Sequence, residues 1–141
     1  MWINSIMAWI LKSPFHSLVS KNMLLITVTG RKSGKLITTP TAYFREENTL
    51  WLVSQRTSKW WRNLRGGANV NVVLNGKSVQ GQGSVIEDEH SVAQRLFENF
   101  KKDAQRAKFA KVRIDENGVP SFEDCERTAQ KMLAVKIEVS Q

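Results

Sequence analysis

Residues 24–40, Leu-Leu-Ile-Thr-Val-Thr-Gly-Arg-Lys-Ser-Gly-Lys-Leu-Ile-Thr-Thr-Pro, constrain the fold more than any other stretch of the chain. A β-branched run breaks at a basic, glycine-bounded loop and resumes as a second extended run, so the segment reads as strand, loop, strand. Gly30 and Gly34 free the backbone angles, allowing consecutive amide N–H groups to converge on one point, while Arg31, Lys32, Lys35 and the Ser33 hydroxyl surround that point with charge and donors. A phosphate suits this arrangement. Taken alone, the stretch also reads as a β-hairpin with a solvated basic turn.

Residues 23–29, 36–45, 49–54, 69–74, 77–86 and 132–139 carry extended, mostly alternating patterns, giving six strands. Glu46-Glu47-Asn48 and Asn75-Gly76 supply turns. Pro40 removes a ladder donor in mid-strand and predicts an edge or a bulge. Residues 59–65 read as a short helix ended by Gly66-Gly67, and residues 88–104 as a helix that covers the barrel with Val92, Leu96, Phe97 and Phe100 on one face. His90 near its start falls on the solvent side. Ser121-Phe-Glu-Asp124 matches a capping box, opening a helix before the closing strand, where Leu133, Val135, Ile137 and Val139 share a face. The fold class is mainly β (α+β): a six-stranded antiparallel barrel with an N-terminal helix and covering helices.

At 141 residues the chain suits a single domain over 1–141, with 1–20 as an N-terminal helical segment. Residues 1–11 have a wide apolar arc, too short to span a bilayer and without the charged lead of a signal peptide. That arc fits packing on the barrel, a second subunit in a homodimer, or peripheral contact with a membrane surface. Ser13 and Pro14 restart a short helix, and His16 lacks companions at metal-ligand spacing. The lone Cys125 excludes an intramolecular disulfide and points to a cytoplasmic protein; its acidic neighbours would raise its pKa, so it reads as a structural thiol. The net charge of +8 is uneven. Residues 1–81 hold 11 basic and 2 acidic side chains, residues 82–141 hold 10 and 11, so the excess lies with the basic loop. Such a field concentrates an anionic ligand. Nucleic acid is disfavoured, because the cations cluster in short loops instead of repeating along a sheet face.

Ser58-Lys-Trp-Trp-Arg-Asn-Leu-Arg-Gly-Gly-Ala68 adds two tryptophans and three cations after the third strand. Together with Thr29-Gly-Arg-Lys-Ser-Gly-Lys35 and Thr38-Thr-Pro40, it resembles the deazaflavin-dependent nitroreductase family of split β-barrel flavin and deazaflavin oxidoreductases. Residues 11–20 are similar to the lead-in of one branch of that family. The resemblance implies an enzyme in which reduced coenzyme F420 gives hydride to quinones, nitro compounds or similar small electrophiles. It places the anionic cofactor against Arg31, Lys32, Ser33, Gly34 and Lys35, with Thr39, Pro40 and Ser54 near the ring's polar edge, Trp60 walling the ring, Gln55 at a position where the family contacts the anionic part, and Arg56 and Lys59 toward the phosphate and acidic tail.

Two departures bear on the cofactor. Ile37 and Gln55 stand where many relatives carry cations facing the anionic part, which keeps FMN open as the alternative. Arg56, Lys59, Arg62 and Arg65 favour F420, whose tail extends past the phosphate. A non-catalytic carrier of an apolar or haem-like ligand is a further alternative. No metal site, hydrolytic triad or carboxylate pair can be assembled, and the catalytic residue is left open: Tyr43 could donate a proton, but it also reads as a core aromatic. Helical adjacency turns Trp60 and Trp61 roughly 100° apart, so at most one faces the cofactor.

Overall fold

The computed structural model describes residues 23–74 and 76–139. The readings on residues 1–20 and on Asn75 lie outside them. Six strands, β1 (Met23–Thr29), β2 (Leu36–Glu46), β3 (Thr49–Gln55), β4 (Ala68–Leu74), β5 (Lys77–Ile86) and β6 (Met132–Val139), close into a barrel in the order β1-β2-β3-β6-β5-β4. Each falls within two residues of its expected bounds. The chain divides into two compact units, whose described parts are 23–53, 59–85 and 135–139, and 54–58 with 86–134.

In the first unit β1 is antiparallel to both β2 and β4, and Leu24, Leu25 and Ile26 are all buried. Successive side chains of a strand point to opposite faces, so both faces of β1 are covered over this run. The β1–β2 register runs unbroken from Met23↔Ala42 to Thr29↔Leu36, so no bulge forms at Pro40, which lies opposite Leu25. The β2–β3 register begins at Tyr43↔Leu52, leaving Pro40 in an edge-like stretch, where a missing N–H costs least. Tyr43 is buried, as a core aromatic would be. Gly81 and Gly83 of β5 lie against β6: a Cβ on Gly81 would sit 2.8 Å from Ile137 Cγ2, and one on Gly83 3.0 Å from Ile137 Cδ1. These glycines make room for Ile137, which is fully buried.

The second unit holds α1 (Glu89–Lys102), α2 (Ala104–Phe109) and α3 (Phe122–Lys131). Asp88 caps α1 by accepting from the Ser91 amide at 2.8 Å. The helix expected over 88–104 stops at Asp103, because that carboxylate accepts from the Arg106 amide at 3.1 Å and starts α2. One aspartate thus ends one helix and caps the next. His90 is exposed, with its ring 6.0 Å from that of Phe122.

Helix α2 ends in a Schellman motif, with Val112 N–H on the Ala107 carbonyl at 2.8 Å and Lys111 N–H on that of Lys108 at 3.0 Å. Ala107 and Val112 are both buried, supplying the apolar contact that accompanies the motif. Lys111 occupies the left-handed position at φ 63°, where glycine is preferred, at a cost of about 1 kcal/mol.

The capping box at Ser121 is only half made. Ser121 Oγ accepts from the Asp124 amide at 3.2 Å, but the Asp124 carboxylate does not reach back. It takes the Arg113 amide at 2.9 Å, Arg113 Nε at 2.8 Å and Nη2 at 3.0 Å, and Arg127 Nη2 at 2.8 Å, while the Ser121 amide donates to the Arg113 carbonyl. Charge-assisted bonds from two guanidinium groups outweigh one amide. Among the described residues no helix is long and apolar enough to cross a membrane.

Candidate functional site

The basic loop is a closed turn. Gly30 N–H donates to the Lys35 carbonyl at 2.8 Å, Gly34 N–H to the Gly30 carbonyl at 2.8 Å, and Lys35 N–H to Ser33 Oγ at 3.2 Å. Gly34 takes φ 72°, and a Cβ on Gly30 would lie 2.9 Å from Ser33 Oγ, so both glycines are required by the turn itself.

A short 3-10 helix, Trp60–Leu64, braces the loop from outside. Asn63 Oδ1 accepts the Arg31 amide at 3.0 Å, and Asn63 Nδ2 donates to the Trp60 carbonyl at 3.0 Å. The Arg31 guanidinium donates to the Arg65 carbonyl. The amides of Gly30, Arg31, Gly34 and Lys35 are therefore spent on protein acceptors, so of the consecutive amides in the loop those of Lys32 and Ser33 are the pair that no protein acceptor takes among the described residues. Charged and hydroxyl side chains stand beside that pair. Arg31, Lys32, Ser33 and Lys35 are all exposed, and Ser33 can donate its hydroxyl proton while accepting from Lys35.

Trp60 is half-buried and Trp61 is buried, in line with one of the pair facing outward. The Arg62 and Arg65 guanidinium groups lie over the Trp61 ring at 5.7 and 5.0 Å. Cation–π attraction to the buried ring holds both guanidinium groups in position beside the turn. Gly66 and Gly67, at φ 80° and 93°, end the turn as expected. Lys59 is exposed at its N-cap.

On β2, Thr39 is half-buried and Pro40 exposed; just before them Leu36 and Ile37 are exposed beside the loop. Ser54, Gln55 and Arg56 fall in the second unit. There Ser54 is buried with its hydroxyl on the Gln55 carbonyl at 3.2 Å, Gln55 is exposed, and Arg56 Nε donates to the Ala129 carbonyl at 3.0 Å. The structure thus brings Arg31–Lys35 together with the 3-10 helix that carries Trp60. Asn63, which joins the two, was not singled out in the sequence; its only signal is a polar residue among the cations of a short turn. Cys125 is buried, and burial, then the neighbouring Asp124 charge, push its thiol up to about 11, which suits a structural thiol.

A six-stranded antiparallel barrel of this kind is the split-barrel fold, here with an exposed basic turn braced on an aromatic-cationic helix. Residues 14–135 match the model of the F420H(2)-dependent quinone reductase family, and the chain belongs to that family. It is therefore an oxidoreductase whose cofactor is coenzyme F420. No curated protein is significantly similar in sequence. Among solved structures the fold is similar to an F420-H2 dependent reductase (18% identity, covering 84% of this chain and 95% of that one, TM-score 0.56). It is also similar to a general stress FMN/FAD binding protein from Xanthomonas citri (15%, 86% and 78%, TM-score 0.54). A candidate 5-nitroimidazole antibiotic resistance protein from Bacteroides thetaiotaomicron is a third relative in fold (12%, 92% and 80%, TM-score 0.53).

Proposed function

We propose that the basic turn holds the phosphate of coenzyme F420 and that the protein reduces quinones. The observation that carries this reading is the turn itself: Lys32, Lys35, Arg31 and Ser33 are exposed on a backbone closed by its own hydrogen bonds and pinned by Asn63. The donor set fits the group. Cations with no acceptor atoms beside a hydroxyl suit a phosphate, and a loop already folded spends little entropy on binding one.

When bound, reduced F420 supplies a hydride, which with one proton converts a quinone to a hydroquinone. The chain's own task is to bind and orient. Lys32 and Lys35 attract the anion, Ser33 donates its hydroxyl proton, and Arg31 keeps the turn against the Arg65 carbonyl. Trp60 offers the half-exposed aromatic surface against which a planar ring would lie, with Thr39 and Pro40 toward its polar edge. Lys59, exposed at the start of the 3-10 helix, completes the proposed set within the first unit. Nitro compounds are a second acceptor class, favoured by the fold shared with the candidate nitroimidazole resistance protein.

The test is loss of reduced F420 absorbance with a water-soluble naphthoquinone and, separately, with a nitroimidazole, with reduced FMN run in parallel. Quinone-dependent oxidation of F420 is expected. Turnover with FMN alone would refute the cofactor, and turnover with the nitroimidazole alone would refute the acceptor.

A further inference from the structure

We infer that the C-terminal end of α2 is a docking surface for an anionic lipid bilayer. Phe109, the last residue of α2, is 92% exposed, far more than any other large apolar side chain described. Lys108 and Lys111 flank it, both exposed. Beside them runs a groove of about 480 Å³ lined by Ala104, Lys108, Lys111, Val112, Arg113 and Ile114, in which the Arg113 guanidinium is already paired with Asp124 and the two lysines carry the charge.

A single protruding aromatic flanked by two lysines does not suit a protein partner, whose interface core is a contiguous apolar patch with few charges. It suits the headgroup layer of a membrane. There an aromatic ring enters the acyl boundary, lysines meet anionic lipids, and each basic side chain near the surface adds affinity. Lys111 supplies an independent observation. It sits at φ 63°, in the one position of the Schellman motif where glycine would relieve strain. A lysine in that strained position, lining this groove, is accounted for if its charge is used. The surface is argued without the quinone reading, but its use rests on it: quinones with apolar tails reside in the bilayer, so an enzyme seated on the headgroups meets its acceptor there.

The experiment is co-sedimentation of the full-length protein with phosphatidylglycerol–phosphatidylcholine vesicles and with pure phosphatidylcholine vesicles. Binding to the anionic vesicles alone, weakened by salt, is expected. Phe109→Ala should weaken it about tenfold. Lys108→Ala and Lys111→Ala should each weaken it about fivefold. Lys111→Gly separates use from folding: it should raise the melting temperature while weakening vesicle binding about fivefold. Equal binding to neutral vesicles, or wild-type binding by Phe109→Ala and the lysine variants, would overturn the inference. So would capture of a single-stranded oligonucleotide in place of vesicles. Because the assay contains no cofactor or quinone, its failure leaves the reductase reading standing, and reductase failure leaves this one standing.

Discussion

Replacing Asn63 with alanine should weaken cofactor binding without touching a single cation of the turn. Asn63 makes two hydrogen bonds, one accepting from the Arg31 amide and one donating to the Trp60 carbonyl, both at 3.0 Å. A net bond of this kind contributes about 1 kcal/mol. Only the first joins the basic turn to the helix, so its loss makes the braced position of the turn about fivefold less favourable. The bond from the Arg31 guanidinium to the Arg65 carbonyl survives and keeps the effect from growing further. If only the braced turn binds phosphate, apparent affinity falls by the loss in braced population, giving a Kd for F420 raised up to about fivefold with kcat unchanged. Fluorescence titration with F420 reads the first, and steady-state turnover the second. Asn63→Asp keeps the acceptor for Arg31 but brings a negative charge to the turn, and should bind worse than Asn63→Ala at low salt. An unchanged Kd in Asn63→Ala, alongside a lowered melting temperature, would show that the brace serves the fold alone.

Joint replacement of Lys32 and Lys35 by alanine should raise the F420 Kd at least tenfold at low salt and much less at high salt, with the melting temperature unmoved because both side chains are exposed. Gly81→Ala should cost about 2 kcal/mol, roughly 8 °C in melting temperature, since the new Cβ would meet Ile137 Cγ2 at 2.8 Å and the Glu138 carbonyl at 2.9 Å. The side-chain and amide bonds from Arg113 hold Asp124 well below its ordinary value of 3.8. Its folded pKa is depressed, so its stabilisation is present above the unfolded value and lost as pH falls below it. Asp124→Asn should therefore flatten the decline in melting temperature below about pH 4. Cys125 should resist iodoacetamide in the folded protein at neutral pH and react once unfolded, which mass spectrometry reads.

What the sequence made legible was what neighbouring residues decide. Strand bounds follow from alternation and from turns such as Glu46–Asn48, so β1 to β6 fall where the pattern puts them. The break at Asp103 escapes that reading because the spacing of Val92, Leu96 and Phe100 continues into Ala104 and Ala107. A periodicity cannot register one aspartate choosing the amide of Arg106 over a continuing helix. Asp124 fails for the complementary reason. Its local option is the amide three residues back, but the fold delivers Arg113 from eleven residues away with an amide and two guanidinium donors. The basic turn combines both cases. Its glycines and cations are local and were read as material for an anion, but the acceptors that consume its amides include Asn63, 32 residues on, and the Arg65 carbonyl, 34 residues on, takes its arginine. An amide nest binds an anion only where no protein acceptor competes for its N–H groups. Once the turn is closed against the 3-10 helix, four of its amides lose that competition, and what it still offers an anion is the Lys32 and Ser33 amide pair and the lysines, whose charge no residue in the turn neutralises.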